Sequence, residues 1–253
     1  MTGSVAIVTG GDTGIGAAIV RTLAAQGVRV VIDYVGDSGP ALTLVEELSR
    51  AGRSASAYSA NVADASEVDA LVAHAVSTYG GVDILVNNAG IEKRFPFVET
   101  PNDVWQREID VNLTGPFLCS KAAAIQMILQ GRGGRIVNIS SIHEDVTAPT
   151  NAPYCAAKGG VRMLMRTIAV ELAVHNITVN NVAPGAIDTP MDATTKANVK
   201  LNDEILSEIP LHRWGEPTEV AGLVAWLCSD AAAYVTGTTM VIDGGMMRQA
   251  GSL

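Results

Sequence analysis

The chain begins with a short apolar run, a glycine-rich segment and a helical pattern, in that order. Val5–Val8 has the composition of a buried strand, and Thr9-Gly-Gly-Asp-Thr-Gly-Ile-Gly follows it without a gap. Apolar residues then recur at helical spacing at Ala17, Val20 and Leu23. A glycine loop between a strand and a helix presents free backbone N–H groups and the positive end of a helix dipole to a phosphate. The segment therefore predicts a dinucleotide-binding α/β fold.

Each glycine of this segment has an expected task. Gly10 permits the tight turn after the strand, Gly14 lets the backbone approach a pyrophosphate, and Gly16 lets the helix pack closely on the strand. The spacing is Gly-x-x-x-Gly-x-Gly rather than the better-known Gly-x-Gly-x-x-Gly. The residues expected to contact the cofactor here are Gly10, Asp12, Thr13, Gly14, Ile15 and Gly16.

Strand-like and helical patterns alternate along the whole chain. The strand-like runs are residues 5–8, 29–33, 54–59, 83–87, 135–140, 178–183 and 239–242. The helical patterns lie between them, at residues 14–26, 40–51, 65–79, 103–130, 153–175 and 217–229. This alternation implies right-handed crossovers. It predicts one doubly wound α/β domain over residues 1–253, with about seven parallel strands and helices on both faces.

Polar and glycine clusters follow four of the predicted strands. They are the glycine loop, residues 87–90, the pair Ser140-Ser141, and the pair Pro184-Gly185. In a doubly wound sheet, ligands bind beyond the carboxyl ends of the strands. We therefore expect the four clusters to meet at one edge of the sheet and to form one site.

A tyrosine and a lysine four residues apart, Tyr154 and Lys158, carry the chemistry, and Ser141 lies thirteen residues upstream. A phenol normally titrates near pH ~10 and exchanges protons poorly at neutral pH. An ammonium one helical turn away lies on the same face and favours the phenolate. A serine at a neighbouring strand end can hold a substrate oxygen against the tyrosine. Together these residues predict proton transfer in the interconversion of an alcohol and a carbonyl.

The composition restricts the class of protein. A formal net charge of −9 disfavours nucleic acid and acidic membrane surfaces as partners. No apolar stretch approaches the ~20 residues of a membrane span, and the first strand leaves no room for a signal peptide. Three widely spaced cysteines make no metal-binding pattern and fit a reducing compartment. We expect a cytoplasmic enzyme with no metal site.

These motifs resemble those of the short-chain dehydrogenases/reductases over nearly the whole chain. The markers are Thr9-Gly-x-x-x-Gly14-x-Gly16, Asn87-Asn88-Ala89-Gly90, Asn112, Ser141, Tyr154-x-x-x-Lys158, Pro184-Gly185 and Asp243-Gly244-Gly245. Several segments also look like those of bacterial glucose 1-dehydrogenases. They are the run Ser140-Ser141-Ile142-His143-Glu144, the run from Pro184 to Pro190, the run Tyr234-Val235-Thr236-Gly237, and Glu92.

The resemblance implies a Rossmann-type fold and a role for each catalytic residue. Tyr154 would be the acid–base, and Ser141 would orient the substrate oxygen. Lys158 would lower the pKa of the tyrosine and bond the nicotinamide ribose. Asn112 would hold a water in a proton relay from Lys158.

The resemblance also implies the remaining contacts. The residues toward the cofactor would be Asn61, Val62, Asn88, Ala89, Gly90, Tyr154, Lys158, Pro184, Gly185, Ile187 and Thr189. The residues toward the substrate would be Glu92, His143 and Ala186.

The end of the second predicted strand bears on the choice between NAD and NADP. Asp33 lies 23 residues after Gly10, near the usual offset of an acidic residue that bonds the ribose diol of NAD. No Lys or Arg follows in the turn to meet a 2′-phosphate, so NAD is favoured over NADP. In the family's alignment the NAD-selecting position falls at Tyr34, and a one-residue slip on a strand points Asp33 to the other face.

The segment at about residues 186–210 is long and partly helical in pattern, which is typical of a mobile lid over a substrate. The C-terminal tail from Met246 to Leu253 is shorter than in glucose dehydrogenases, which argues against glucose itself. The helical patterns at 103–130 and 153–175 are apolar on more than one side, so something besides the sheet must cover them. The family's four-helix dimer contact would do so, which implies a homotetramer.

Three functions remain open at this stage. The first is an NAD(P)-dependent oxidoreductase for a secondary alcohol or ketone, with a sugar such as glucose as a possible substrate. The second is an NADPH-dependent 3-oxoacyl carrier-protein reductase, against which the acidic chain argues. The third is a non-enzymatic dinucleotide-sensing protein, which should lose the tyrosine or the lysine.

Overall fold

The computed structural model describes residues 1–248 of the chain; residues 249–253 of the C-terminal tail, on which the glucose argument rests in part, lie outside the described residues. Seven strands form a single sheet in the order β3-β2-β1-β4-β5-β6-β7, and every neighbouring pair is parallel. The strands are β1 (Val5–Val8), β2 (Arg29–Tyr34), β3 (Ala55–Ser59), β4 (Ile84–Asn87), β5 (Gly134–Ile139), β6 (Ile177–Pro184) and β7 (Thr239–Ile242). The order reverses between β1 and β4, which in a doubly wound fold marks the ligand crevice. The predicted fold is confirmed.

Helices cover both faces of the sheet. They are α1 (Gly14–Ala25), α2 (Gly39–Arg50), α3 (Ala65–Tyr79), α4 (Asn102–Ile109), α5 (Gly115–Gln130), α6 (Ala152–Leu172), α7 (Ala193–Ala197), α8 (Val199–Glu208) and α9 (Pro217–Leu227). One apolar core packs α1, α2 and α9 on the sheet, and a second packs α3, α5 and α6 on the opposite face. Each strand must therefore supply apolar residues to both sides, which is why the central strands read as continuous apolar runs.

Two regions differ in detail from the sequence prediction. The helix predicted at 103–130 is interrupted by a π-helical turn, Asp110–Thr114, between α4 and α5. Turns of this kind often occur at functional sites, and this one contains Asn112. The segment after β6 holds the short helices α7 and α8. Within residues 1–248, no helix has the length and apolar character that crossing a membrane requires.

Candidate active site

A cavity of about 850 Å³ lies along the carboxyl edge of the sheet. Its wall is formed by the glycine loop, the segments that follow β2 to β6, and the first turns of α6. The four polar and glycine clusters of the sequence all contribute to this wall. They converge because the sheet is parallel, so that all of its strands end at the same edge.

The glycine loop has the geometry that a phosphate site needs. Gly10 and Gly14 adopt positive φ angles of 55° and 51°, a region that other residues rarely occupy. The N-terminus of α1 has no side-chain cap and no acidic residue in its first turn, so its N–H groups are not occupied by a side chain. Thr13, Gly14 and Ile15 line the cavity at this point. The loop can therefore take an anionic group against its backbone.

Gly16, predicted as a cofactor contact, does not line the cavity and instead packs against the loop itself. A Cβ atom built on Gly16 would lie 2.1 Å from the carbonyl oxygen of Gly10 and 2.6 Å from Nδ2 of Asn88. No side chain fits in that space. Gly16 thus shapes the site through the close approach of α1 to the loop rather than through contact with a ligand.

Thr9 and Asn88 tie the glycine loop to the segment after β4. The Thr9 hydroxyl accepts hydrogen bonds from the backbone N–H groups of Asn88 (2.9 Å) and Ala89 (3.1 Å). The Asn88 amide donates to the carbonyls of Thr9 (2.9 Å) and Gly10 (2.8 Å). Sequence reasoning did not single out Thr9 as a site residue. Its signal was its place directly before Gly10, at the end of β1.

Asp33 lines the cavity, but its side chain is bonded to backbone. Its side chain is buried, and its carboxylate accepts hydrogen bonds from the backbone N–H groups of Gly10 (3.4 Å) and Ala60 (3.1 Å). Burial raises the pKa of Asp33 to about 8, which the two backbone bonds only partly oppose. The expected bond from Asp33 to a ribose diol is therefore not supported. The Asp33 side chain thus links the glycine loop to the residue that follows β3. Tyr34 and Val35 also line the cavity.

Ser141, Tyr154 and Lys158 come together at the other end of the cavity. Tyr154 and Lys158 occupy successive turns at the start of α6, and the Lys158 ammonium lies 5.4 Å from the centre of the tyrosine ring. Lys158 is buried and donates to the Ile139 carbonyl at 2.9 Å. Ser141 follows β5 in extended conformation, its hydroxyl oxygen accepts from the His143 N–H at 3.2 Å, and it acts on Tyr154 closely enough to lower the pKa of the phenol. The two hydroxyl groups can thus meet one substrate oxygen.

The electrostatics of this group differ from the expectation. Burial raises the pKa of Tyr154, the charge of Glu92 acts in the same direction, and the bond from Ser141 lowers it. Burial also lowers the pKa of Lys158 to about 8, against the opposing charges of Glu144 and Glu92. The tyrosine is therefore a protonated phenol at neutral pH, which suits a proton donor.

Asn112 lies in the π-helical turn and is not part of the cavity wall. Its side chain is fully buried, accepts from the Ile91 N–H at 2.9 Å and donates to the Ile91 carbonyl at 2.8 Å. Glu108, one turn earlier, accepts from the Lys93 N–H at 2.9 Å. Both side chains fix the segment that carries Glu92. The amide of Asn112 is thus held by this backbone, and the water contact expected of Asn112 stays a prediction.

The substrate end of the cavity is polar. Of the predicted substrate residues, Glu92, His143 and Ala186 all line it. The Glu92 carboxylate accepts from Nε of Arg94 (2.7 Å) and from Nδ2 of Asn151 (2.6 Å). The sequence prediction missed Arg94, Asn151 and Asp192 on this wall, because they lie in irregular segments without a motif. Burial raises the pKa of Asp192, and the charge of Glu92 adds to this effect.

The remaining predicted cofactor residues fall on the cavity wall. Asp12, Asn61, Val62, Asn88, Ala89, Gly90, Pro184, Gly185, Ile187 and Thr189 all line it. Gly90 has little room for a side chain, because a Cβ atom there would lie 3.1 Å from Oδ1 of Asn112. The cavity as a whole therefore joins a phosphate-binding end to an end that holds a serine, a tyrosine and a lysine.

Comparisons with known proteins agree with this geometry. A model of short-chain dehydrogenases described as enoyl-(acyl carrier protein) reductase matches residues 10–247. The chain is 44% identical to a 3-oxoacyl-[acyl-carrier-protein] reductase of Synechocystis sp., over 98% of both sequences. It is 43% identical to 3beta-hydroxysteroid dehydrogenase 1 of Eggerthella lenta, over 96% of this chain and 94% of that protein.

A solved structure shows the same likeness in three dimensions. The gluconate 5-dehydrogenase of Burkholderia cenocepacia, in complex with NADP and tartrate, superposes with a TM-score of 0.94 at 34% identity. The match covers 99% of this chain and 97% of that one. The chain therefore belongs to the short-chain dehydrogenases/reductases, and it is an NAD(P)-dependent oxidoreductase that acts on alcohols and ketones.

Proposed function

We propose that this enzyme interconverts a secondary alcohol and a ketone with Tyr154 as the acid–base and Ser141 as the residue that orients the reacting oxygen. The observation that carries the proposal is that Ser141, Tyr154 and the buried Lys158 meet on the wall of the same cavity that contains the glycine loop. Catalysis of this kind depends on groups held within hydrogen-bond reach of the same atom.

The residues of the loop fit a nicotinamide dinucleotide. The uncapped N-terminus of α1 and the positive φ of Gly14 would hold its pyrophosphate, and Ile187 and Thr189 would face its nicotinamide. When bound, the nicotinamide supplies or accepts the hydride, while the protein supplies position and charge. Lys158 would bond the nicotinamide ribose through its ammonium.

The protein's own steps concern one proton. In ketone reduction, Ser141 donates a hydrogen bond to the carbonyl oxygen, and Tyr154 gives its proton to that oxygen as the hydride arrives at carbon. In alcohol oxidation, Tyr154 must first release its proton. Burial raises the pKa of Tyr154, so the protonated form dominates at neutral pH and favours reduction there. Oxidation should gain relative to reduction as the pH rises.

NAD is the proposed preferred cofactor. The cavity wall includes Asp12 of the glycine loop and Asp33, Tyr34 and Val35 at the end of β2, and none of these four residues is basic. A 2′-phosphate would therefore meet negative charge without a cation. Asp33 contributes little to this preference, because burial raises its pKa to about 8 and its side chain is bonded to backbone. The relative that was solved with NADP is the reason to test both cofactors.

The proposed substrate is a neutral polyhydroxyl compound, for which glucose is the first sugar to test. The charges of Glu92 and Asp192 both act on the Tyr154 phenol, although Arg94 pairs with Glu92, so this end of the cavity is rich in hydrogen-bond acceptors for hydroxyl groups. The polar groups of Glu92, Asn151 and His143 can bond hydroxyl groups. A 3-oxoacyl carrier-protein reductase is the second candidate, because 44% identity links the chain to such an enzyme.

One assay separates these candidates. The purified enzyme is given NAD or NADP with glucose, other polyols and secondary alcohols, and NADH or NADPH with ketones and a 3-oxoacyl thioester. Absorbance of the reduced nicotinamide reports turnover. We expect NAD-linked oxidation of neutral polyols at rates at least ~10-fold above those for NADP, since a rejected phosphate typically costs more than ~1.4 kcal/mol. Exclusive use of NADPH with the thioester would establish the second candidate instead.

The lid and the cellular location are also proposals. Residues 186–210 contribute Ile187, Thr189, Met191 and Asp192 to the cavity wall, and Trp214 donates to Asn202 on α8 at 2.9 Å. We propose that this segment closes over the substrate. The three cysteines, Cys119, Cys155 and Cys228, form no disulfide with one another, which supports a reducing cytoplasm as the place of action.

The proposed assembly is a homotetramer that pairs α5 and α6 with their counterparts. On α5, Leu129 is 78% exposed and Ile125 is 51% exposed; on α6, Val170 is 78% exposed and Met163 is 57% exposed. Apolar side chains exposed along two neighbouring helices commonly mark an interface. Light scattering should give four times the mass of the 253-residue chain. The mass of a single chain would contradict the proposal.

A further inference from the structure

A row of buried polar side chains crosses the sheet beneath α6. Asn87 on β4, Asn138 on β5, Asn181 on β6 and Thr239 on β7 are partners in register. The three asparagines are at most 4% exposed. Side chains alternate along a strand, so the asparagines share the sheet face of Leu85, Ile136 and Val179, which α5 and α6 cover. The row therefore forms the polar edge of that core, near the carboxyl ends of the strands.

The hydrogen bonds of the row converge on one carboxylate. The Asn87 amide donates to Oδ1 of Asn138 at 2.8 Å, and the Asn138 amide donates to Oδ1 of Asn181 at 2.9 Å. The Asn181 amide donates to Oε2 of Glu144 at 3.0 Å, and the Thr239 hydroxyl donates to Oε1 of Glu144 at 2.6 Å. Aligned amides in a dry interior polarise one another. The row thus directs its donors at one carboxylate and supports it as an anion.

That carboxylate belongs to the turn that follows the catalytic serine. Glu144 lies in a 3-10 turn, Ile142–Glu144, and only 1% of its side chain is exposed, with Nε of Arg162 at 3.7 Å. Although it follows Ser141 closely, Glu144 is not on the cavity wall. Its backbone carbonyl lies 4.0 Å from where a Cβ atom would stand on Gly159, the residue after Lys158. The Lys158 ammonium bonds the carbonyl of Ile139, next to Asn138 of the row.

We propose that Glu144 is a positioning residue for the catalytic lysine, and that the asparagine row serves to hold its negative charge behind the Lys158 ammonium. A buried ammonium loses its hydration and tends to give up its proton. A fixed carboxylate nearby offsets this loss without occupying the cavity, so Lys158 stays charged toward the cofactor. The inference rests on the proposed function of Lys158, and it assigns a task to a residue that touches neither substrate nor cofactor.

Several charged or titratable groups surround Lys158, and the test must separate the effect of Glu144 from the effects of the others. Glu144 faces it from the turn after β5, Glu92 from the segment after β4, and Tyr154 from its own helix. Arg162, one turn further along α6, lies behind Glu144 and also pairs with Asp145. Glu144 is the largest of the charges that oppose the effect of burial on the pKa of Lys158, which stands at about 8. Removal of that charge must lower the pKa.

The experiment is a titration of the five lysines, labelled with 13C at Cε, by NMR. A Lys158→Met variant assigns the signal of Lys158. In Glu144→Gln we expect Lys158 to titrate about one pH unit lower than in the unaltered enzyme, as the loss of an opposite charge in a buried site typically shifts a pKa by ~1 unit or more. Glu144→Asp keeps the charge at a shorter reach and should give a smaller shift in the same direction. In the pH profile of ketone reduction, the pH at which the rate declines should shift by the same amount as the pKa of Lys158 measured by NMR.

Asp145→Asn is the matched control, because Asp145 pairs with the same Arg162 but is 41% exposed. This variant should leave the pKa of Lys158 unchanged. An unchanged titration in a folded Glu144→Gln protein overturns the inference; if that variant does not fold, an unchanged titration in Glu144→Asp does so. An enzyme without any turnover would contradict the proposed function alone, since the titration is measured without substrate.

Discussion

Replacement of Tyr154 by phenylalanine is expected to remove hydride transfer while it leaves the fold and dinucleotide binding intact. The change deletes one hydroxyl group, which lies on the cavity wall with Ser141 and is the proposed proton donor. General acid–base catalysis contributes typically ~10²–10⁴-fold, so we expect kcat/KM for ketone reduction to fall by about 10³-fold. The measurement is the steady-state rate at the absorbance of reduced nicotinamide, with cofactor affinity measured by tryptophan fluorescence.

The matched control is Tyr58→Phe. Tyr58 is also partly buried, but its ring stacks on His74 at 4.7 Å, away from the cavity. Its hydroxyl has no place in the proposed reaction, so activity should stay within about twofold, the scatter typical of a remote surface change. If Tyr154→Phe retained a tenth or more of the activity, Tyr154 could not be the acid–base. A dinucleotide sensor would give a third pattern, with cofactor binding but no turnover in the unaltered protein.

The phosphate end of the site was predictable because its signals are local. A strand, a glycine loop and a helix follow one another within the first 25 residues, so the pattern contains the whole substructure. Tyr154 and Lys158 are likewise one helical turn apart. The parallel order of the sheet then brings Ser141 to them, since β5 ends beside the first turn of α6. These features need only secondary structure and one topological rule.

What the sequence could not provide depends on the direction of side chains in three dimensions. Asp33 has the expected spacing from Gly10, yet its carboxylate turns to the backbone of Gly10 and Ala60. Asn112 has the expected place, yet the π-helical turn directs its amide to Ile91. Asn151 has no motif at all and reaches the cavity because its segment pairs with the one that carries Glu92. In each case, a contact between residues distant in sequence or an irregular turn decides the role.

The row of asparagines is another feature that the sequence alone could not predict. Asn87, Asn138 and Asn181 are 51 and 43 residues apart, and each looks like an isolated polar residue at the end of a strand. Only the register of β4, β5 and β6 makes them neighbours. A buried polar row of this kind is costly, and Oδ1 of Asn87 is buried without a hydrogen-bond partner, so its presence next to Lys158 argues for a function in the site.

Replacement of Gly16 by alanine is the second change for which we expect a large effect, this time on the fold of the cofactor end. The added methyl group would stand 2.1 Å from the Gly10 carbonyl oxygen and 2.6 Å from the Asn88 amide, so either the loop or α1 must move. Overpacking of this kind costs typically ~1–3 kcal/mol, and we expect the free energy of unfolding to fall by that amount. Because the displaced groups shape the phosphate site, the dissociation constant for the dinucleotide should rise by about tenfold or more, as ~1.4 kcal/mol of lost fit implies.

Gly222→Ala on α9 separates this effect from the general effect of alanine in a helix. Gly222 is also helical, but a Cβ atom there would meet no atom within 4 Å. Alanine is the better helix former by about 0.8–1.0 kcal/mol, so this variant should unfold at higher urea and bind the dinucleotide as before. If the free energy of unfolding falls in Gly16→Ala and rises in Gly222→Ala, the close approach at Gly16, and not helix propensity, decides the result. Equal stability of the two variants would mean that the loop yields without cost, and that Gly16 is not needed to shape the phosphate site.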